Sequence, residues 1–184
     1  MIFNPDRFAQ KVSFQSLPVL ATDIDLVTDL AGKGLLLVEF KTEGTKIGYG
    51  QRKTYERIVN ASGSDVPTFA VLAYHATAVE DAITGENSDV DTVWYRFPEQ
   101  PRFQTYRYEY ERPTLDEFIC DLASVLGYPA SKLRKITEPW EGWTVPLEPE
   151  ETKATPYRRG LFLKLFEEGL ITEDQVPWDV PANH

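Results

Sequence analysis

Apolar and polar positions along the chain fall into runs of two different periods. Val19 to Thr28 is apolar with Asp23 and Asp25 interleaved, which predicts a strand with one polar face. Asp29-Leu30-Ala31-Gly32-Lys33-Gly34 reads as a turn. Leu35 to Lys41 is a nearly continuous apolar run that ends in charge, and it predicts a second, largely buried strand forming a hairpin with the first. Gly44 to Gly50 carries three glycines and reads as a loop. In Gln51 to Ala61 the period lengthens: Tyr55, Ile58 and Val59 stand at i, i+3 and i+4, which predicts a helix stopped by Gly63 and Pro67. Thr68 to Tyr74 is apolar again and predicts a strand parallel to the preceding one, because a helix separates the two.

Downstream, Ala78 to Asp91 reads as polar and turn-like, and two further strands are predicted over Thr92–Phe97 and Arg102–Glu111. Tyr106, Tyr108 and Tyr110 alternate with Arg107, Glu109 and Glu111, which fits a strand with one packed face better than a base-stacking series. Thr114 with Glu117 three residues on has capping-box spacing and starts a helix striped by Phe118, Leu122, Val125 and Leu126. Glu138 to Pro156, rich in Pro, Glu and Trp, reads as a linker that Trp140 and Trp143 pin to the domain. Pro156 to Gly169 predicts a last helix with Leu161, Leu165 and Phe166 on one side, and Pro5 to Phe14 a short first one. The expected organisation is an α/β domain over 1–135, with a mixed sheet of about four to five strands flanked by helices. An acidic segment and C-terminal helix over 136–184 are expected to pack on it.

Charge and composition narrow the function. The 184 residues carry a formal net charge of −10, which argues against holding nucleic acid by bulk positive charge. That charge is uneven: residues 1–60 hold 8 basic and 7 acidic residues, whereas 136–184 hold 4 and 10. One cysteine and two histidines exclude an intrachain disulfide and a four-ligand structural zinc. Cys120 reads as a packed thiol, and His75 as a hydrogen-bonded structural residue or a proton shuttle. With no signal peptide and no run of about 18 apolar residues, the expectation is a cytoplasmic protein without a membrane partner.

The chemistry concentrates in one local order. A strand bears Asp23-Ile24-Asp25, a second strand ends Leu37-Val38-Glu39-Phe40-Lys41, and a glycine loop leads to Gln51-Arg52-Lys53-Thr54-Tyr55 on a helix. Residues two apart in a strand share a face, so Glu39 and Lys41 point the same way, and Asp25 on the hairpin partner can reach them. Two carboxylates and an ammonium then converge, a set suited to a hard divalent cation such as Mg2+ and to phosphodiester hydrolysis. Gln51 and Tyr55, four apart, share one helix face. Lys46, Arg52, Lys53 and Arg57 surround this region and are the candidate phosphate contacts.

This order resembles the PD-(D/E)XK nuclease superfamily, and Gln51/Tyr55 resembles the helix motif of its RecB-like branch; the likeness spans roughly residues 19–75. It implies a restriction-endonuclease-like core acting on single- or double-stranded DNA as a monomer or homodimer. Asp25, Glu39 and the Phe40 backbone carbonyl would bind Mg2+ or Mn2+, Lys41 would assist the attacking water, and Gln51 and Tyr55 would support the site. Alternation puts Asp23 on the same face, as a supporting or substitute ligand. Ile24 stands where the family usually has Pro, and the helix-borne Glu of many relatives has no match in residues 1–18, which removes support for a second metal. The competing expectation is a nuclease-like fold without catalysis, whose acidic C-terminal region contacts a partner.

Overall fold

The computed structural model describes residues 24–30, 32–78, 83–128, 134–138, 143–146 and 160–177, with only the backbone described for 134–138 and 143–146. The predicted helix at Pro5–Phe14, Asp23 and Trp140 lie outside these residues. In chain order the elements are β1 (Leu26–Asp29), β2 (Leu35–Thr42), α1 (Tyr49–Ser62), β3 (Thr68–His75), β4 (Ser88–Arg96) and β5 (Gln104–Arg107). They continue with α2 (Leu115–Val125), β6 (Arg134–Glu138), β7 (Trp143–Pro146), α3 (Gly160–Glu167) and a 3-10 turn at Glu173–Gln175. The fold is α/β: a five-stranded mixed sheet in the order β1-β2-β3-β4-β5, with three helices flanking it.

The β1–β2 hairpin forms as its turn chemistry predicts. Asp29 Oδ1 accepts the Gly32 N–H at 2.8 Å, and Gly32 takes φ +73°, a conformation that strains any residue with a Cβ. Gly34 leaves no room for a side chain, since a Cβ there would come within 3.0 Å of the Pro67 carbonyl oxygen. β2 then pairs antiparallel with β1 and parallel with β3, with α1 as the crossover between the parallel strands. The other pairs, β3–β4 and β4–β5, are antiparallel.

Alternation along β2 sorts its side chains onto two faces. Leu36 and Val38 join Phe69, Val71, Val93 and Tyr95 in a core closed by Phe118 and Leu122 of α2 and Leu161, Phe162 and Leu165 of α3. Leu37 joins Ala70, Leu72 and Trp94 in a second core closed by Tyr55 and Val59 of α1. So α1 covers one face of the sheet, and α2 and α3 cover the other. Thr114 caps α2 with the predicted reciprocal box, its hydroxyl accepting from the Glu117 N–H at 3.2 Å and Glu117 Oε2 accepting from the Thr114 N–H at 2.8 Å.

Four expectations need correction. β4 begins at Ser88, so the stretch expected to be a turn up to Asp91 is partly strand. β5 ends at Arg107, and the tyrosine alternation breaks with it: Tyr108 is buried while Tyr110 is 87% exposed. The expected linker contains β7, which pairs antiparallel with β6. In α3, Phe162 takes the buried position beside Leu161 and Leu165, and Phe166 is exposed. Cys120 is half-buried on α2. No helix among the described residues is long and apolar enough to cross a membrane.

Candidate active site

Glu39 sits near the C-terminal end of β2 on the face that α1 covers, and its side chain is only 2% exposed. An isolated carboxylate there would be costly, because burial strips its hydration. Three donors compensate. Lys41, two residues along the strand and so on the same face, donates its ammonium to Glu39 Oε1. Gln51 Nε2 donates to the same oxygen at 2.8 Å, and the Tyr55 hydroxyl donates to Oε2 at 2.5 Å. Gln51 and Tyr55 reach one carboxylate because they lie one helical turn apart on the inner face of α1. Tyr55 is fully buried and stacked on Trp94 of β4, with ring centroids 6.2 Å apart and planes within 5°. The Lys41 side chain stays 23% exposed, so its ammonium lies between the buried carboxylate and solvent.

Asp25 enters from the neighbouring strand. In the β1–β2 register Leu26 faces Val38, so one step further places Asp25 opposite Glu39. The amides of Leu35 and Glu43 bond toward β3, at Pro67 and His75; alternation therefore turns the Phe40 amide toward β1. β1 begins only at Leu26, and Asp25 Oδ2 accepts the Phe40 N–H at 2.8 Å in place of a strand partner. The N–H and C=O of one strand residue point the same way, so the Phe40 carbonyl faces this edge too.

Asp25, Glu39 and the Phe40 carbonyl thus offer oxygen donors only, the set a hard divalent cation takes. Among the described residues, no group of three or more His, Cys, Asp or Glu comes together to hold a metal ion.

No family model, no curated protein and no solved structure matches the chain.

None of the four candidate phosphate contacts is among the donors that hold Glu39. Arg52 and Lys53 both turn to Glu56, at 3.4 and 2.5 Å, and both cations lie beside the exposed Tyr49 ring. Lys46 and Arg57 are exposed and make no ion pair among the described residues. The α1 N-terminus has no side-chain cap and no acidic residue in its first turn, which leaves its N–H groups to solvent or ligand. Alternation along β3 puts His75 on the opposite face from Lys41, where its Nδ1 is buried without a hydrogen-bond partner among the described residues.

A second ionic group was missed in the sequence. Asp91 of β4, 4% exposed, binds Arg112 Nη2 at 2.7 Å and lies 3.7 Å from Arg107 Nε. Tyr74 lies under the Arg112 guanidinium; burial, followed by the nearby Asp91 carboxylate, raises its phenol pKa above the usual tyrosine value. The available signal was a phase slip. Val90 and Val93 are three apart yet line the same core, which strict alternation forbids without an extra residue.

Proposed function

We propose that this chain is a Mg2+- or Mn2+-dependent nuclease that hydrolyses phosphodiester bonds in DNA, on a restriction-endonuclease-like core. One observation carries the reading: Lys41, Gln51 and Tyr55 converge on Glu39 while Asp25 stands opposite it across the hairpin. These are the residue types, in the order and on the elements, that the resemblance to PD-(D/E)XK nucleases implies. DNA as the substrate rests on that resemblance.

Asp25, Glu39 and the Phe40 carbonyl would hold the cation. When bound, it supplies Lewis-acid polarisation of a phosphoryl oxygen and an acidified water. Lys41, whose ammonium donates to Glu39, would orient an attacking water or offset charge that develops on the phosphate oxygens. Gln51 and Tyr55 hold the Glu39 carboxylate in a fixed rotamer, and their placement on a helix packed against a sheet gives the precision such a site needs. Asp25 is the exposed member of the set and so open to an incoming ligand.

The test is a cleavage panel on single-stranded, duplex, flapped and branched DNAs, with Mn2+ and with EDTA. Wild type is expected to cut with the metal and not with EDTA. Lys41→Ala should lose cutting while retaining its circular dichroism and a cooperative melt, at a melting temperature lowered by the lost donor to Glu39; equal activity in the two proteins overturns the reading.

A second reading has one observation in its favour. Both oxygens of Glu39 accept hydrogen bonds from the chain's own donors, as in a buried carboxylate that serves structure alone. On that reading the chain is a nuclease-like interaction module. Calorimetric Mn2+ titration separates the two, since only the nuclease predicts a binding signal that Asp25→Ala diminishes.

A further inference from the structure

Beside the Glu39–Lys41 pair, on the same face of the sheet, lies an ionic group that the proposed chemistry leaves unused. Leu72 pairs with Thr92 and Ala73 with Val90, so β4 carries one extra residue there, Asp91. Its carboxylate is nevertheless turned inward. Oδ1 accepts from Arg112 Nη2 at 2.7 Å, and Oδ2 accepts from Thr92 Oγ1 at 2.7 Å. From this anchor Arg112 crosses β3: its guanidinium carbon lies 5.7 Å from the centroid of the Tyr74 ring, and its Nη1 lies 3.7 Å from Glu43 Oε1. Tyr74 is the register partner of Lys41, and Glu43 follows Glu39 and Lys41 in the same alternating series. Arg112 therefore spans from β4 to the end of β2 and finishes next to the candidate active site.

Stability does not account for this arrangement. A buried ion cluster is on average no more stabilising than apolar side chains of similar volume, and β-bulges concentrate beside functional sites, where they re-aim a side chain. The stoichiometry is also informative. Two guanidiniums flank the single buried carboxylate of Asp91, while Glu43 is largely exposed and 3.7 Å from its partner. The Arg107 side chain is 70% exposed and that of Arg112 30%, and each guanidinium has five N–H donors in a planar fork that matches phosphate.

We propose that Arg107 and Arg112 form a phosphate-binding subsite that holds the sugar–phosphate backbone of the nucleic-acid strand beside the Glu39–Lys41 centre, with Asp91 and Tyr74 fixing the guanidiniums. The assignment of the adjoining centre rests on the nuclease reading; the binding itself does not. The contact is to phosphate, so it is indifferent to base sequence. It also places the cationic contacts on β5 and the segment before α2, away from the α1 residues whose charge Glu56 offsets.

The test measures binding of a fluorescein-labelled single-stranded oligodeoxynucleotide to the full chain by anisotropy, in EDTA and over a range of salt concentrations. Each lost phosphate contact is expected to lower the slope of log affinity against log salt by about 0.7. Arg107→Gln, at an exposed position, should weaken binding about five- to tenfold at low salt and lower the slope by that amount. Arg112→Lys keeps the charge beside Asp91 and the fold; it should keep the slope and weaken binding through the lost fork. Inorganic phosphate should compete more effectively against wild type than against Arg107→Gln. Wild type that does not bind the oligonucleotide, or variants that match it in affinity and slope, overturn the subsite. Failure of the nuclease reading looks different: wild type binds with the stated slopes and cuts nothing with Mn2+.

Discussion

The phenol of Tyr55, fully buried inside the α1 face, donates a 2.5 Å hydrogen bond to Glu39, whose carboxylate is itself 2% exposed. A helix and a strand are thereby locked together through a charged group rather than through apolar contact alone. Tyr55→Phe keeps the ring and its packing but leaves a buried carboxylate short of one donor. The expected cost is about 1–3 kcal/mol in urea unfolding. If Glu39 holds a cation as proposed, calorimetric Mn2+ affinity should also fall by about 10-fold or more, as for other groups that orient a metal ligand. Unchanged stability would show that the phenol does not hold the carboxylate.

Trp94 acts behind Tyr55, its ring nearly parallel to the tyrosine ring and buried in the same core. Trp94→Ala is expected to cost about 3–5 kcal/mol, from lost burial and the cavity left behind. Because the two rings touch, a double-mutant cycle of Trp94→Phe with Tyr55→Phe should be non-additive by about 0.5 kcal/mol or more. Additive losses would mean that the stacking does not fix the tyrosine.

Thr114 supplies a test on the opposite face of the sheet. Its capping box satisfies two backbone donors at the start of α2, whose Phe118, Leu122 and Val125 fill the other core. Thr114→Ala should cost about 1 kcal/mol in thermal or urea unfolding. On the proposed nuclease reading, Mn2+ binding and DNA cutting should be unchanged, because Glu39 and Lys41 face α1 on the other side of the sheet. A selective loss of cutting at full stability would contradict that separation.

The tyrosines predict how stability responds to alkali. Burial above all, with nearby acidic groups adding to it, raises the phenol pKa values of Tyr74, Tyr95, Tyr106 and Tyr108 above the ordinary value of 10.0. A group whose folded pKa is raised contributes stability that is fully present below its unfolded pKa and is lost as pH rises toward the folded one. Urea midpoints should therefore hold to near pH 10 and fall above it. The Tyr108 hydroxyl is buried with no hydrogen-bond partner among the described residues. Tyr108→Phe should be neutral or stabilising by up to about 1 kcal/mol at pH 7, and should flatten the alkaline decline. A large loss at pH 7 would indicate a partner for this hydroxyl.

Local spacing made the hairpin, the β2–α1–β3 unit and the α2 cap legible. The apolar run from Leu35 to Val38, the i, i+4 pair Gln51/Tyr55 and the Thr114/Glu117 box each act within one element. Their consequences follow from the strand period of two, the helix period of 3.6 and the first-turn amides. The same periods failed where one residue was added or a strand stopped early. The extra residue at Asp91 shifted the phase of β4, and the end of β5 at Arg107 left Tyr110 in solvent.

Sequence alone determined which residues share a face: Glu39 with Lys41, Gln51 with Tyr55, and the parallel course of the strands on either side of α1. Tertiary structure alone decided which faces meet. It closed Tyr55 and Gln51 onto Glu39, set Trp94 behind Tyr55, turned the Asp25 carboxylate to the Phe40 amide and carried Arg112 across β3 to Glu43. The reason is physical. A residue's direction within its own element is a property of the local backbone, whereas its partner is chosen by packing between segments far apart in the chain, and that choice is written in no single stretch of sequence.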